Sequence, residues 1–166
     1  MTAGLVMQRI VGVAEMIVSQ QRGEQLITYA LGSCLGVAVH DGNAGVGGLL
    51  HVMLPQSSID PERAKAQPSA FVDTGVPALF RECYRLGARK ERMAVYVAGG
   101  ASSGAEDRDH FQIGKRNLVA FRRLLWKNGV LVRAEDVGGV LTARTMQLDV
   151  GTGDVTLRYG GRSRRL

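Results

Sequence analysis

No uninterrupted apolar run in the 166 residues is long enough to span a bilayer, which takes about 18 or more consecutive apolar positions. Residues 1–21 are fairly apolar, but Gln8, Arg9 and Glu15 break them. No basic start precedes an apolar block, which argues against a secretory leader and predicts a cytoplasmic protein without membrane insertion. Cysteine is scarce. Cys34 and Cys83 cannot build a disulfide framework, and in a reducing compartment both are free thiols, one of them available as a nucleophile. There is no Cys-x-x-Cys pair. A zinc site would have to be assembled from Cys34, His51, Cys83 and His110 without any paired spacing, so no metal is expected. Aromatic residues make up 5%, too few for a base-stacking platform. This disfavours nucleic acid as a partner despite a formal charge of +6 and a pI near 9.8. Repeats and linkers are also missing, so a single domain is expected over residues 1–161, with 162–166 as a frayed basic tail.

Glycine, by contrast, is plentiful at 22 residues, and its clusters punctuate short apolar runs. The runs predict strands at 10–18, 25–29, 34–39 and 46–53, the last two joined by a hairpin at Asp41-Gly42-Asn43. Residues 56–67 read as a surface loop. A helix follows over 69–86, kinked or delayed by Pro77, then a strand at 93–98 and a polar loop over 102–110. A second helix covers 116–127, stopped by Asn128-Gly129, and strands at 130–134, 145–150 and 155–159 close the chain. The expected architecture is α/β (α+β): a layered sandwich of mixed and antiparallel sheet with flanking helices.

The chemistry-bearing stretch is 28–55. Cys34 follows Leu31-Gly32-Ser33 at the entrance to a strand, and the turn at Gly32 and Ser33 offers free amides for an oxyanion. A thiol at its ordinary pKa needs a base, most often histidine. His51 lies on the strand expected to pair with that of Cys34. His40 is six residues along from Cys34, roughly 20 Å in an extended strand, and so out of reach. His110 sits in the polar loop. Thr28, on the preceding strand, can accept from one imidazole nitrogen while the other faces Cys34. Each residue also has a plainer reading: a core thiol, a hydrogen-bonded core histidine and a β-forming threonine. Arg116 and the Arg122-Arg123 pair suit either phosphate or a solvated helix face. Gly99-Gly100 is too short for a phosphate loop.

The ordered set resembles the chemoreceptor glutamine deamidase family CheD. Its parts are Thr28, Leu31-Gly32-Ser33-Cys34, Gly47-Gly48, His51-Val52-Met53-Leu54-Pro55, Gly99-Gly100-Ala101, Ile113-Gly114-Lys115-Arg116-Asn117, Glu135-Asp136-Val137-Gly138-Gly139 and Arg144. The resemblance covers nearly the whole chain. It implies a Cys34 nucleophile, a His51 base and Thr28 as third member, with Gly99, Gly100, Gly114 and Asn117 as structural motif residues. It also implies a sandwich similar to the catalytic domain of the cytotoxic necrotizing toxins. The implied reaction converts chosen receptor glutamines to glutamates through a thioester, without a cofactor. The implied partners are methyl-accepting chemotaxis receptors and the phosphatase CheC. Ser103-Gly104 stand where members of that family often carry a bulky pair, and Pro77 interrupts a helix usually free of proline. The alternatives are an adaptor that binds receptors or CheC without catalysis, a nucleic-acid-binding domain, and hydrolysis of receptor methyl esters by the same thiol.

Overall fold

The structure, a computed structural model, describes residues 4–104 and 111–166. Two five-stranded mixed sheets lie face to face. The first has the order β1-β3-β8-β9-β10, from β1 Met7–Ile10, β3 Glu24–Leu31, β8 Arg144–Asp149, β9 Val155–Tyr159 and β10 Arg162–Arg165. The second has the order β2-β5-β4-β6-β7, from β2 Met16–Ser19, β5 Val46–Val52, β4 Leu35–Asp41, β6 Ala94–Gly99 and β7 Ala134–Val137. Pairing is antiparallel except for β1 with β3 and β6 with β7. Helices α2 Val72–Arg85 and α3 Ile113–Lys127 cover the outer face of the second sheet, and a short α1 spans Pro61–Ala66. The layers therefore run helices, second sheet, first sheet. No helix among the described residues is long and apolar enough to cross a membrane.

Burial explains the sequence patterns. β4 and β5 are covered on both faces and are buried along almost their whole length, so they read as continuous apolar runs rather than alternating ones. β8 has water on one side. It alternates, with Arg144, Met146 and Leu148 inward and Thr145, Gln147 and Asp149 outward. One core lies between helices and sheet, where Val72, Val76, Leu79, Phe80 and Cys83 of α2 meet Val37, Val39, Leu50 and Val52. The second lies between the sheets, where Leu26, Leu31, Met146 and Leu148 meet Ala38, Leu49 and Ala98.

Several boundaries differ from expectation. The run at 10–18 is two strands in different sheets. The turn between them uses apolar residues, with Ala14 at φ 60 and buried beside Phe71, while the Glu15 carboxylate accepts from Gly12 N–H. Apolar turn residues hide such a break from periodicity. The presumed loop at 56–67 holds α1, where Asp60 accepts from Arg63 N–H and Pro61 opens the helix. The first long helix starts at Val72 rather than 69, and Pro77 sits within it. α3 starts at Ile113, three residues early, and the strand expected at 130–134 lies at Ala134–Val137. The tail at 162–166, expected to fray, supplies β10, paired with β9. Four exposed side chains, three of them arginines, mark that outer edge with charge.

Candidate active site

The β4–β5 hairpin sets the geometry. Gly36 pairs with His51 and Leu35 with Val52, so Gly36 and His51 share a face, the one turned toward the first sheet. Cys34 lies two residues before Gly36 and packs on the same inter-sheet core. A Cβ on Gly36 would come within 2.7 Å of Leu31 Cδ1 and 2.9 Å of Met146 Sδ. The glycine opposite the imidazole is therefore a packing requirement. Backbone bonds pin His51 itself: its N–H donates to Glu15 O at 3.0 Å, and its carbonyl accepts from Ala14 N–H at 2.9 Å.

Thr28 reaches the ring from the opposite sheet. Its Oγ1 lies 2.7 Å from His51 Nδ1 and 2.7 Å from Val11 O. A carbonyl only accepts, so the hydroxyl proton goes to Val11 O and Oγ1 accepts from Nδ1–H. This assigns the tautomer: Nδ1 carries the proton and Nε2 carries a lone pair. Nε2 is buried and has no hydrogen-bond partner among the described residues. Just beyond Thr28, β3 breaks register in a bulge, with Ala30 at φ 58, and the chain turns toward Cys34.

The turn at 32–34 is held from one side. Ala101 N–H donates to Gly32 O at 2.9 Å and Gly100 N–H to Cys34 O at 3.0 Å. Asn117 Nδ2 donates to both Ser33 O and Met53 O, each at 3.0 Å. In a trans peptide the N–H points opposite its carbonyl. The Ser33 and Cys34 amides are thereby turned away from the 100–117 side; neither donates to a backbone carbonyl among the described residues, and the Cys34 amide bonds its own thiol. Gly99, at φ 110, lets the backbone pass so closely that a Cβ there would sit 2.1 Å from Cys34 O. A Cβ on Gly114 would sit 2.4 Å from Ala101 O, so the start of α3 docks directly on the 100–101 turn. Thus the four motif residues surround the cysteine turn.

Burial dominates the electrostatics. It lowers the His51 pKa to about 4 and raises that of Cys34, while the backbone amide of Cys34 pulls the thiol back down. Both groups are neutral at rest near neutral pH. Cys34 is half-buried and His51 fully buried.

The remaining candidates fall elsewhere. His40 lies near the far end of β4, where Nε2 donates to Val150 O at 2.9 Å. Cys83 is sealed in the helix-side core, its pKa pushed up to about 12, chiefly by burial. With Cys34 in the inter-sheet core, the two thiols do not converge on a metal. No cluster of three His, Cys, Asp or Glu side chains occurs among the described residues. His110 lies outside those residues. Arg122 pairs with Glu135 at 2.9 Å on the surface. One contributor escaped the sequence reading, and a second, Arg144, was named there only as a motif residue. Val11 supplies the carbonyl that orients Thr28. Buried Arg144 bonds Asp136, Gly138 O and Gly99 O, bracing the turn against the cysteine. No spacing signals a backbone acceptor 17 residues away.

The fold and this geometry define a class: a layered α/β sandwich in which a thiol shares a strand face with an imidazole oriented by a hydroxyl, the layout of thiol-dependent acyl transfer. A family model described as "CheD chemotactic sensory transduction" matches residues 53–159. A Syntrophus aciditrophicus protein named probable chemoreceptor glutamine deamidase CheD 1 is 48% identical over 92% of this chain and 94% of its own length. A Solibacter usitatus protein named probable chemoreceptor glutamine deamidase CheD is 44% identical over 96% and 93%. Among solved structures, Neisseria meningitidis protein NMB0706, of family-model DUF152, aligns at TM-score 0.44 and 10% identity, covering 81% of this chain and 63% of that one, less than two thirds of its length. The chain belongs to the CheD family.

Proposed function

We propose that this chain deamidates glutamine side chains on chemoreceptors in chemotaxis, the activity that its relatives' names state for them. The observation that carries the reading is the imidazole of His51, locked by Thr28 with a bare Nε2 on the face it shares with Cys34.

The steps follow from these groups. Cys34 Sγ attacks the carboxamide carbon as its proton passes to His51 Nε2. The carbonyl oxygen gains charge, which the amides of Ser33 and Cys34 stabilise. The imidazolium then gives its proton to the leaving nitrogen, ammonia departs and a thioester remains. Water attacks the thioester, giving a proton to Nε2, and that proton returns to sulfur as glutamate leaves. Protein groups and water suffice for every step. Because burial favours the neutral thiol and neutral imidazole, proton transfer accompanies attack rather than preceding it.

Two free thiols accord with a reducing cytoplasm as the place of action, and family membership supports CheC as a further partner. The test is ammonia release from a chemoreceptor fragment, with mass spectrometry locating each amide-to-acid exchange. Cys34→Ala and His51→Ala should each abolish it, since a nucleophile and its base fail as a unit. A fully active Cys34→Ala enzyme would end the proposal.

A further inference from the structure

A groove runs along α3 away from the cysteine turn. One bank is the helix itself, whose exposed Lys115, Arg116, Arg123 and Lys127 face it; the other bank carries Pro55 and Asp73. These cations fall at i, i+1, i+8 and i+12, one stripe of a helix of 3.6 residues per turn, about 18 Å long at 1.5 Å per residue. Between them Val119 and Ala120 give an apolar floor. None of the four cations has an ion-pair partner among the described residues, whereas Arg122 on the neighbouring face does. The one carboxylate of the lining, Asp73, is already engaged, accepting from Ser57 N–H at 2.8 Å and Ser57 Oγ at 2.7 Å.

At one end the groove is lined by chain neighbours of the residues that hold the cysteine turn. Arg116 precedes Asn117, which bonds Ser33 O and Met53 O, and Pro55 follows two residues after Met53. A polypeptide with its glutamine at Cys34 and its flank laid along α3 would meet these cations in turn. Four unpaired cations in line over a short apolar floor call for an acidic polypeptide segment, its carboxylates spaced along the stripe. Nucleic acid would leave the floor unused, and no aromatic side chain lines the groove for stacking. We infer that the α3 groove selects substrate by binding acidic residues that flank the target glutamine. The inference rests on the proposed deamidase reading for the site the groove leads to. It has a chemical corollary: each deamidation adds a negative charge to the bound segment, so the product is held at least as firmly as the substrate.

The test separates the groove from the chemistry. Fluorescence anisotropy compares two labelled glutamine peptides on the full chain, one with flanking Asp and Glu, one with Ser at those positions. The wild-type protein should bind the acidic peptide better, with the advantage shrinking as salt rises. Arg123→Glu with Lys127→Glu should weaken acidic-peptide binding about tenfold, since each exposed pair contributes a few-fold and reversal adds repulsion. Circular dichroism and a urea midpoint establish that the variant is folded, as exposed positions allow. An equal affinity for both peptides, or an acidic preference surviving the reversal, overturns the inference. So does a labelled DNA duplex that binds more tightly than the acidic peptide and displaces it. Ammonia release is read separately: a preference without release keeps the groove and removes the deamidase reading, and release without preference does the reverse.

Discussion

Replacing Thr28 by valine removes one hydroxyl from a site where all three participants are buried: Thr28 at 0%, His51 at 1% and Val11 at 1% exposure. The shape is nearly conserved, so the effect isolates the two hydrogen bonds of 2.7 Å. Two groups lose their partner, His51 Nδ1–H and the Val11 carbonyl. Each buried unsatisfied group costs about 1–3 kcal/mol, so unfolding stability should fall by about 2–6 kcal/mol. Catalysis suffers for a different reason. The threonine makes Nδ1 the protonated nitrogen. Without that bond, worth about 1.5 kcal/mol, the proton is free to sit on Nε2, where the ring cannot act as base. At about 1.4 kcal/mol per factor of ten, kcat should drop about tenfold with little change in KM, because the hydroxyl faces the imidazole and not the substrate. The assay is steady-state ammonia release from a receptor fragment beside urea unfolding. Thr28→Ser keeps the hydroxyl and should recover most of kcat. A folded Thr28→Val enzyme within twofold of wild-type kcat would refute the tautomer argument. A serine variant as impaired as the valine one would show that the methyl group, not the hydroxyl, matters.

Other consequences can be checked independently. Under native conditions iodoacetamide should label one thiol, Cys34, slowly at pH 7 and faster as pH rises, because burial raises its pKa; Cys83, buried and pushed up to about 12, should react only after unfolding. His51 titrates near 4 in the fold against an ordinary value of 6.5. The unfolded chain therefore binds the extra proton first, and stability falls as pH drops from about 6.5 to 4, by about 3 kcal/mol in all. Above pH 6.5 both states are neutral at this residue and the effect vanishes, and His51→Gln should flatten that part of a urea-midpoint profile. Gly99→Ala should destabilise severely and abolish activity, since its Cβ would meet Cys34 O at 2.1 Å. Gly87→Ala is the matched control: its φ of 98 is similar but nothing lies within 4 Å, so it should cost about 1–2 kcal/mol of backbone strain and leave activity intact.

The sequence made the β4–β5 hairpin legible because two covered strands and a Gly-Asn turn leave few alternatives, and with it the pairing of the Cys34 and His51 strands. Thr28 was legible as an acceptor for the imidazole, but not the side from which it reaches the ring. It lies in the other sheet, and which sheet a strand joins is set by packing that no local pattern records. The break at Gly12 shows the same limit. Val13 and Ala14 are apolar, so periodicity runs through a turn where the chain leaves one sheet for the other. The basic end at Arg162–Arg165 misled in the opposite sense. Charge suggested fraying, yet an edge strand needs only backbone pairing on one side and leaves its side chains in water. Asn117 and Arg144 stood out as motif residues, but their role depends on carbonyl groups that only the fold assembles.

Those carbonyl contacts explain how a half-exposed cysteine on a turn can be placed well enough for chemistry. A turn by itself is poorly ordered, and a reactive group gains when rigid elements fix it. Here the turn at 32–34 surrenders three successive carbonyls: to Ala101 N–H, to the Asn117 amide and to Gly100 N–H. Asn117 also grips Met53 O, two residues past His51, so one side chain ties the turn of Cys34 to the strand of His51. Arg144 holds Gly99 O from the other sheet. The cost is visible in the same residue: Asn117 Oδ1 is buried without a partner among the described residues. A core built for stability alone would not keep an orphaned acceptor, which costs about 1–3 kcal/mol. Its persistence beside the cysteine is better explained by the need to fix the Ser33 and Met53 carbonyls than by packing, because a leucine would fill the volume and hold neither.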